Sequence, residues 1–320
     1  MMLKANHPEA ASAGKTIIGF NWIGGREVEG DLSLFEARSA VDRRDLVGMF
    51  PESGAKDVGR AAKAAGEAFA KWKATPAPIR GAIIGRIGKI LEDQQERLAR
   101  IITREIGKTP REALGELQEA IDTCHYFQSE GRRLFGQTVP SEMAHKELYT
   151  YRRPIGVVGM ITAGNFPIAV PSWKIIPAIL CGNTVVWKPS EDAPTIAYLF
   201  MQAMVDAGLP AGVGNVVNGK GAGHTGQFMI EGIDKGFFQK FSFTGSTAVG
   251  RLIGEACGRQ LQIPSLELGG KNPMIVMEDA DLDNAVSAAI WSAYGTAGQR
   301  CTSLGNLILH KDIAAEFKTK

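Results

Sequence analysis

A thiol next to a cation is the most reactive arrangement in the sequence: Gly298-Gln299-Arg300-Cys301-Thr302. Thiols are partly ionised near neutral pH and intrinsically nucleophilic, so Cys301 is a candidate for attack on an electrophilic carbon. Upstream, Leu266-Glu267-Leu268-Gly269-Gly270-Lys271 sets one carboxylate in an otherwise apolar run, a candidate base for activating water. Asn165, within Gly164-Asn165-Phe166-Pro167, offers an amide donor for a developing negative charge. Alone, each has a plainer reading: a buried inert cysteine, a salt-bridged glutamate, a turn asparagine.

A second set of residues suits a dinucleotide. Val185-Val186-Trp187-Lys188-Pro189-Ser190-Glu191 reads as a strand end followed by a cation and a carboxylate three residues apart, and open parallel sheets bind ligands at such ends. Glu191 could accept both hydroxyls of an adenosine ribose, and its charge would repel a 2′-phosphate, which favours NAD over NADP. Phe243-Thr244-Gly245-Ser246-Thr247 supplies a helix N-terminus whose free N–H groups suit a pyrophosphate, with Gly245 permitting close approach. Gly221 to Gly226 formally matches G-x-G-x-x-G. The next strand ends in Thr244-Gly245-Ser246 rather than in the acidic residue that the fingerprint requires, so a plain strand-to-helix turn is the better reading.

Positioning these groups falls to two kinds of sequence. After an irregular leading arm to residue 50, with a short strand and turn at Asn21 to Gly25, helical patterning covers 53–74 (Ser53 as N-cap), 80–91, 95–106 and 110–134. Residues 147–152 read as extended. From Ile155 short apolar strands (155–161, 184–188, 215–218, 240–243, 274–277) alternate with helices near 167–181, 194–207, 224–232 and 247–257. Such alternation predicts an α/β fold with an open parallel sheet of Rossmann-like type. The predicted divisions are a helical N-terminal part (1–135), an extended bridge (136–154), a dinucleotide-binding domain (155–268) and the start of a second α/β catalytic domain (269–320).

Composition narrows the partner. The 320 residues are 44% hydrophobic and 22% charged, and 36 basic against 34 acidic residues give a formal charge of +2. Neither a nucleic-acid footprint nor a membrane-surface one is indicated, and Pro154 to Trp187 is too interrupted by Pro, Asn and Lys for a membrane span. Cys124, Cys181, Cys257 and Cys301 form no C-x-x-C pair, and the five histidines fall in no ligand spacing, so reduced thiols, a cytoplasmic location and no metal are expected. A small molecule is the expected partner.

Taken with their order and spacing, Gly164-Asn165-Phe166-Pro167, Trp187-Lys188-Pro189-Ser190-Glu191, Phe243-Thr244-Gly245-Ser246, Leu266-Glu267-Leu268-Gly269-Gly270-Lys271 and Gly298-Gln299-Arg300-Cys301 resemble the aldehyde dehydrogenase superfamily. Gly295 to Thr302 further resembles members acting on semialdehydes. The resemblance implies NAD-dependent oxidation of an aldehyde to a carboxylic acid. Cys301 would attack the aldehyde, the Asn165 amide and the Cys301 N–H would stabilise the oxyanion, and Glu267 would activate water against the thioester. It also assigns Lys188, Pro189 and Glu191 to the adenosine ribose, Gly245 and Ser246 to the pyrophosphate, Lys174 and Gly269 to the cofactor region, and Trp173 to the substrate tunnel.

Two departures stand out. Family members are usually longer, with a later portion that completes the nicotinamide site, the tunnel and subunit pairing, so the chain is read as the N-terminal part of an enzyme expected to be a homo-oligomer when full length. Gly164 stands where an aromatic is common, an expected widening of the pocket floor. Two other readings stay open: a dinucleotide-binding protein without turnover, and a cofactor-independent cysteine thioesterase using Cys301 and Glu267.

Overall fold

A computed structural model describes Leu3–Lys4 (β1) and residues 16–320. The leading residues form more regular structure than expected: β2 (Ile17–Ile18), β3 (Asn21–Ile23), β4 (Arg26–Val28), β5 (Leu34–Arg38) and β6 (Leu46–Pro51). Within β5 the order Leu-Phe-Glu-Ala-Arg puts Phe35 and Ala37 inward and Leu34 and Glu36 outward, the period-2 alternation of a half-buried strand. Strands β1-β2-β6-β5 make a four-stranded sheet. The β3-β4 hairpin turns through Gly24 and Gly25, both left-handed at φ +63° and +81°.

Four helices follow at nearly the expected positions: α1 (Ala55–Ala74), α2 (Ala77–Asp93), α3 (Gln95–Ile106) and α4 (Pro110–Glu130). Ser53 does not cap α1. Its hydroxyl accepts the Asn21 amide at 2.8 Å, and Gly54 takes the cap position, donating its N–H to Asp57 at 3.2 Å. Gly107, at φ +79°, ends α3. Thr109 and Glu112 form a reciprocal capping box on α4, with Pro110 at the first helical position. The extended bridge carries a small antiparallel ribbon, β7 (Thr138–Val139) with β8 (Leu148–Tyr149).

Next come β9 (Val157–Ile161), α5 (Ala169–Leu180), β10 (Thr184–Lys188), α6 (Pro194–Asp206), β11 (Gly214–Val216), α7 (Thr225–Asp234), β12 (Lys240–Gly245), α8 (Thr247–Arg259) and β13 (Ser265–Leu268). Their sheet runs β13-β12-β9-β10-β11-β3-β4. The five strands from β13 to β11 pair in parallel, while the early hairpin adds antiparallel at the β11 edge. The sheet is therefore mixed rather than purely parallel. Every residue of β9 and β10 is buried, as a strand covered by helices on both faces requires.

The remaining chain forms a separate two-stranded parallel sheet of β14 (Asn272–Val276) and β15 (Leu304–Leu309), with α9 (Leu282–Tyr294) between them and α10 (Ala314–Thr319) at the end. The strand expected near 274–277 thus lies outside the seven-stranded sheet. Its core is small: Val276, Ala285, Ala289, Ile313 and Phe317. Among the described residues no helix is long and apolar enough to cross a membrane.

Candidate active site

Cys301, Asn165 and Glu267 line one open cavity of about 1300 Å³ at the C-terminal ends of the parallel strands, together with Trp173, Thr244, Gly245 and Gly269. Asn165 comes from the turn after β9, Gly245 ends β12, and Glu267 sits on β13 beside Thr244 of β12. This is the crevice where open α/β sheets present ligand-binding groups. Glu267 and Cys301 are both exposed to it.

Cys301 follows a strained turn. Thr296, Ala297 and Gly298 are all left-handed, at φ 57°, 54° and 70°, and the two non-glycine residues cost roughly 1–2 kcal/mol each in that region. Side chains hold the turn in place. Arg300 donates to the Thr296 hydroxyl at 2.9 Å and lies over the Trp291 ring at 4.7 Å. Gly295 leaves room for this stack, since a Cβ there would stand 3.1 Å from the Arg300 guanidinium and 3.2 Å from the Trp291 ring. Asn272 donates to the Cys301 carbonyl at 2.7 Å and to the Ser303 carbonyl at 3.0 Å. The Asn165 amide donates to the Gln299 carbonyl at 2.7 Å, tying its turn to the cysteine loop. That bond uses one of the two amide N–H groups.

The remaining expected residues sit nearby but apart. Lys188, 2% exposed at the end of β10, donates to the Pro189 carbonyl at 2.8 Å and to Glu191 at 3.0 Å. Burial pushes the Lys188 ammonium down from its ordinary range, with Glu191 opposing. Burial works against ionisation of Glu191 too, but the Lys188 charge and backbone N–H donors hold its carboxyl below the usual range. The other Glu191 oxygen accepts the Gly221 N–H at 3.1 Å, and Glu52 accepts the Lys220 N–H at 2.9 Å. Two N–H groups of the glycine-rich turn are therefore taken by carboxylates. Lys174 reaches the middle of β12, donating to the Ser242 hydroxyl at 3.0 Å, and burial lowers its pKa against the pull of Glu267. Ser246 caps α8 by accepting the Val249 N–H at 3.3 Å and is exposed beside Gly245, which lines the cavity.

Gly164 does not widen this cavity. A Cβ there would meet the Ser190 hydroxyl at 2.9 Å and the Asp192 Cβ at 3.4 Å, so the missing side chain faces the turn after β10. It borders a separate 380 Å³ cleft with Arg38, Arg43 and Asp192.

Sequence reasoning missed Asn272, Thr296, Lys108, Glu112 and Glu116. The capping-box spacing of Thr109 and Glu112 marks the latter as a helix N-terminal carboxylate, but its contact with Thr296 spans 184 positions and leaves no local signal.

A Rossmann-like sheet whose strand ends open onto a cavity with an exposed thiol, an amide and a carboxylate places the protein in the α/β class with a ligand-sized crevice at its strand ends. Residues 29–320 match the model of the aldehyde dehydrogenase family, and the chain belongs to that family. It is 39% identical to an alpha-ketoglutaric semialdehyde dehydrogenase from Bacillus subtilis over 94% of this chain and 61% of the relative. It is also 39% identical to a succinate-semialdehyde dehydrogenase [NADP(+)] from Escherichia coli over 86% of this chain and 56% of the relative. The crystal structure of an NAD-dependent aldehyde dehydrogenase from Sinorhizobium meliloti superposes with a TM-score of 0.91 at 32% identity, covering all of this chain and 63% of that one. The chain thus spans about three fifths of the length of the relatives it matches.

Proposed function

We propose that the protein oxidises an aldehyde to a carboxylic acid through a covalent cysteine intermediate, with a nicotinamide dinucleotide as partner. The single observation that carries this reading is the shared cavity of Cys301, Asn165 and Glu267. The Cys301 thiolate attacks the aldehyde carbon, and the carbonyl electron pair moves onto oxygen. The free N–H of the Asn165 amide and the Cys301 backbone N–H receive that charge, a contribution of about 3–4 kcal/mol per donor. A nicotinamide, when bound, would supply the acceptor for the hydride that leaves the tetrahedral carbon as the oxyanion electron pair re-forms the carbonyl, so that an acyl group stays on sulfur. Glu267 then removes a proton from water attacking the thioester, and the acid departs as Cys301 regains its thiolate.

The residues present fit a dinucleotide. Glu191 is held by Lys188 but keeps 37% of its side chain exposed, free to accept ribose hydroxyls, and the α8 N-terminus is open for a pyrophosphate. The Glu191 charge favours NAD; the relatives' names include both NAD- and NADP-dependent enzymes. The semialdehyde relatives favour an aldehyde bearing a distal carboxylate, which Arg111, exposed on the cavity wall, would meet. Association into homo-oligomers and a cytoplasmic location belong to the same proposal.

Trapping the intermediate tests it. A Glu267→Gln variant incubated with NAD and succinate semialdehyde should accumulate an acyl group on Cys301, located by peptide mass spectrometry, because hydrolysis is blocked while acylation is not. A protein that binds NAD yet never acylates Cys301 would refute the reading, and acylation from an ester without NAD that is indifferent to Glu191 would favour a thioesterase.

A further inference from the structure

Helix α4 touches both segments that flank the cavity, through two carboxylates one turn apart. Glu112 accepts the Thr296 N–H at 2.7 Å, at the first left-handed residue of the cysteine loop. That N–H holds the Glu112 carboxyl below the usual carboxylate range. Glu116 accepts the N–H groups of Ile168 and Ala169 at 3.0 and 3.2 Å, directly after Asn165-Phe166-Pro167. Its other oxygen takes the Lys108 ammonium at 2.7 Å, and that ammonium lies 3.5 Å from the Phe166 ring centroid. The Lys108 and Glu116 side chains are 3% and 0% exposed, so their charge-assisted bonds are shielded from water and fixed in geometry.

The Glu112 and Glu116 contacts meet across the Asn165 to Gln299 hydrogen bond of 2.7 Å. A loop that stores strain in two consecutive left-handed residues needs an outside hold. Glu112 is that hold on one side, and Glu116 performs the same service for the Asn165 turn on the other. We propose that α4 is a staple that sets the separation of nucleophile and oxyanion donor, with Glu112 positioning Cys301 and Glu116, backed by Lys108, positioning Asn165. The roles of Cys301 and Asn165 rest on the reading above; the staple itself can be measured without turnover.

The probes are iodoacetamide and deuterium exchange, applied to the whole chain and read peptide by peptide. Cys181, also exposed, is the internal reference for Cys301. Glu112→Ala should speed exchange around Thr296, leave exchange around Ile168 unchanged, and alter the Cys301-to-Cys181 alkylation ratio by about fivefold or more, since misplacement of about 1 Å changes reactivity on that scale or beyond. Glu112→Gln, which keeps an acceptor oxygen, should restore the wild-type ratio. Thr109→Ala removes the α4 cap but not the contact to Thr296, and should leave the ratio unchanged. The paired variant Lys108→Met/Glu116→Met, which removes the acceptor together with its buried partner charge, should loosen Ile168 and Ala169 with the ratio intact. An unchanged ratio in Glu112→Ala, or the same change in Thr109→Ala, would overturn the staple. If Glu112→Ala does not fold, Glu112→Asp, shorter by one methylene, gives the same readings. Failure of wild-type protein to bind NAD or acquire an acyl group would sink the dehydrogenase reading while leaving these alkylation and exchange results standing.

Discussion

On the side of the cleft proposed for the dinucleotide, β9 and β10 are buried at every residue, and Lys188 emerges from that core with 2% of its side chain exposed. On the cysteine side, β14 alternates half-buried and exposed residues up to the buried Val276, over a core of five residues, Trp291 is 58% exposed, and Cys301 hangs from a left-handed turn. The first wall is rigid because the sheet continues beneath it; the second is placed by individual hydrogen bonds from Glu112, Asn165, Asn272 and Arg300. Substitutions on the cofactor wall should therefore act on affinity or stability, whereas substitutions that hold the cysteine wall should act on reactivity with the fold intact.

The largest contrast belongs to Asn165. Asn165→Ala should lower kcat by about 10²–10³, with NAD affinity measured by calorimetry unchanged; an equal loss in NAD affinity would erase the distinction between the walls. On the cofactor wall, Glu191→Gln keeps acceptor capacity but removes the charge. It should narrow the preference for NAD over NADP about tenfold in binding titrations, with no effect on Cys301 alkylation.

A third contrast, in stability rather than in reactivity or affinity, concerns Glu105, which accepts the Thr195 and Ile196 N–H groups at 2.7 and 3.1 Å at the start of α6. Glu116 does the same for α5 with Lys108 beside it. Burial raises the Glu105 pKa from 4.5 to about 7, with its backbone donors opposing. The folded state then binds more protons than the unfolded one between those values, so this group's contribution makes stability fall as pH rises through that window and level off above it. Glu105→Gln should flatten that slope in urea unfolding, a difference of roughly 1–3 kcal/mol between pH 5 and pH 7.5; an identical slope in both proteins would remove Glu105 as its cause.

That Asn165, Glu267 and Cys301 share one cleft was legible because they sit in short local motifs. Asn165, Lys188 and Gly245 follow or end strands whose apolar runs are visible in the sequence, whereas Glu267 lies within β13 and Cys301 precedes β15, two strands that the sequence reading did not mark. Helices α1 to α8 were legible from their periodicity, and Gly107 and the Thr109 capping box fix the limits of two of them, whereas α9 and α10 were not marked. What escaped was set by distant partners. Thr296 meets Glu112, and Ile168 meets Glu116, across 184 and 52 positions, and nothing local marks such pairs. Gly164 misled because a missing side chain says nothing about the direction it would have pointed, and Ser53 because Asn21 outcompeted the helix for its hydroxyl. The alternation in β5 was readable and was overlooked within an arm expected to be irregular.

The central claim is that thiol, amide and carboxylate surround one cavity facing the dinucleotide. An aldehyde carrying deuterium on its carbonyl carbon tests it most directly, by following label and acyl group together in Glu267→Gln protein. The account predicts one deuterium in the reduced cofactor for each acyl group on Cys301. Deuterium released to water, or reduced cofactor formed without acylated Cys301, would contradict it.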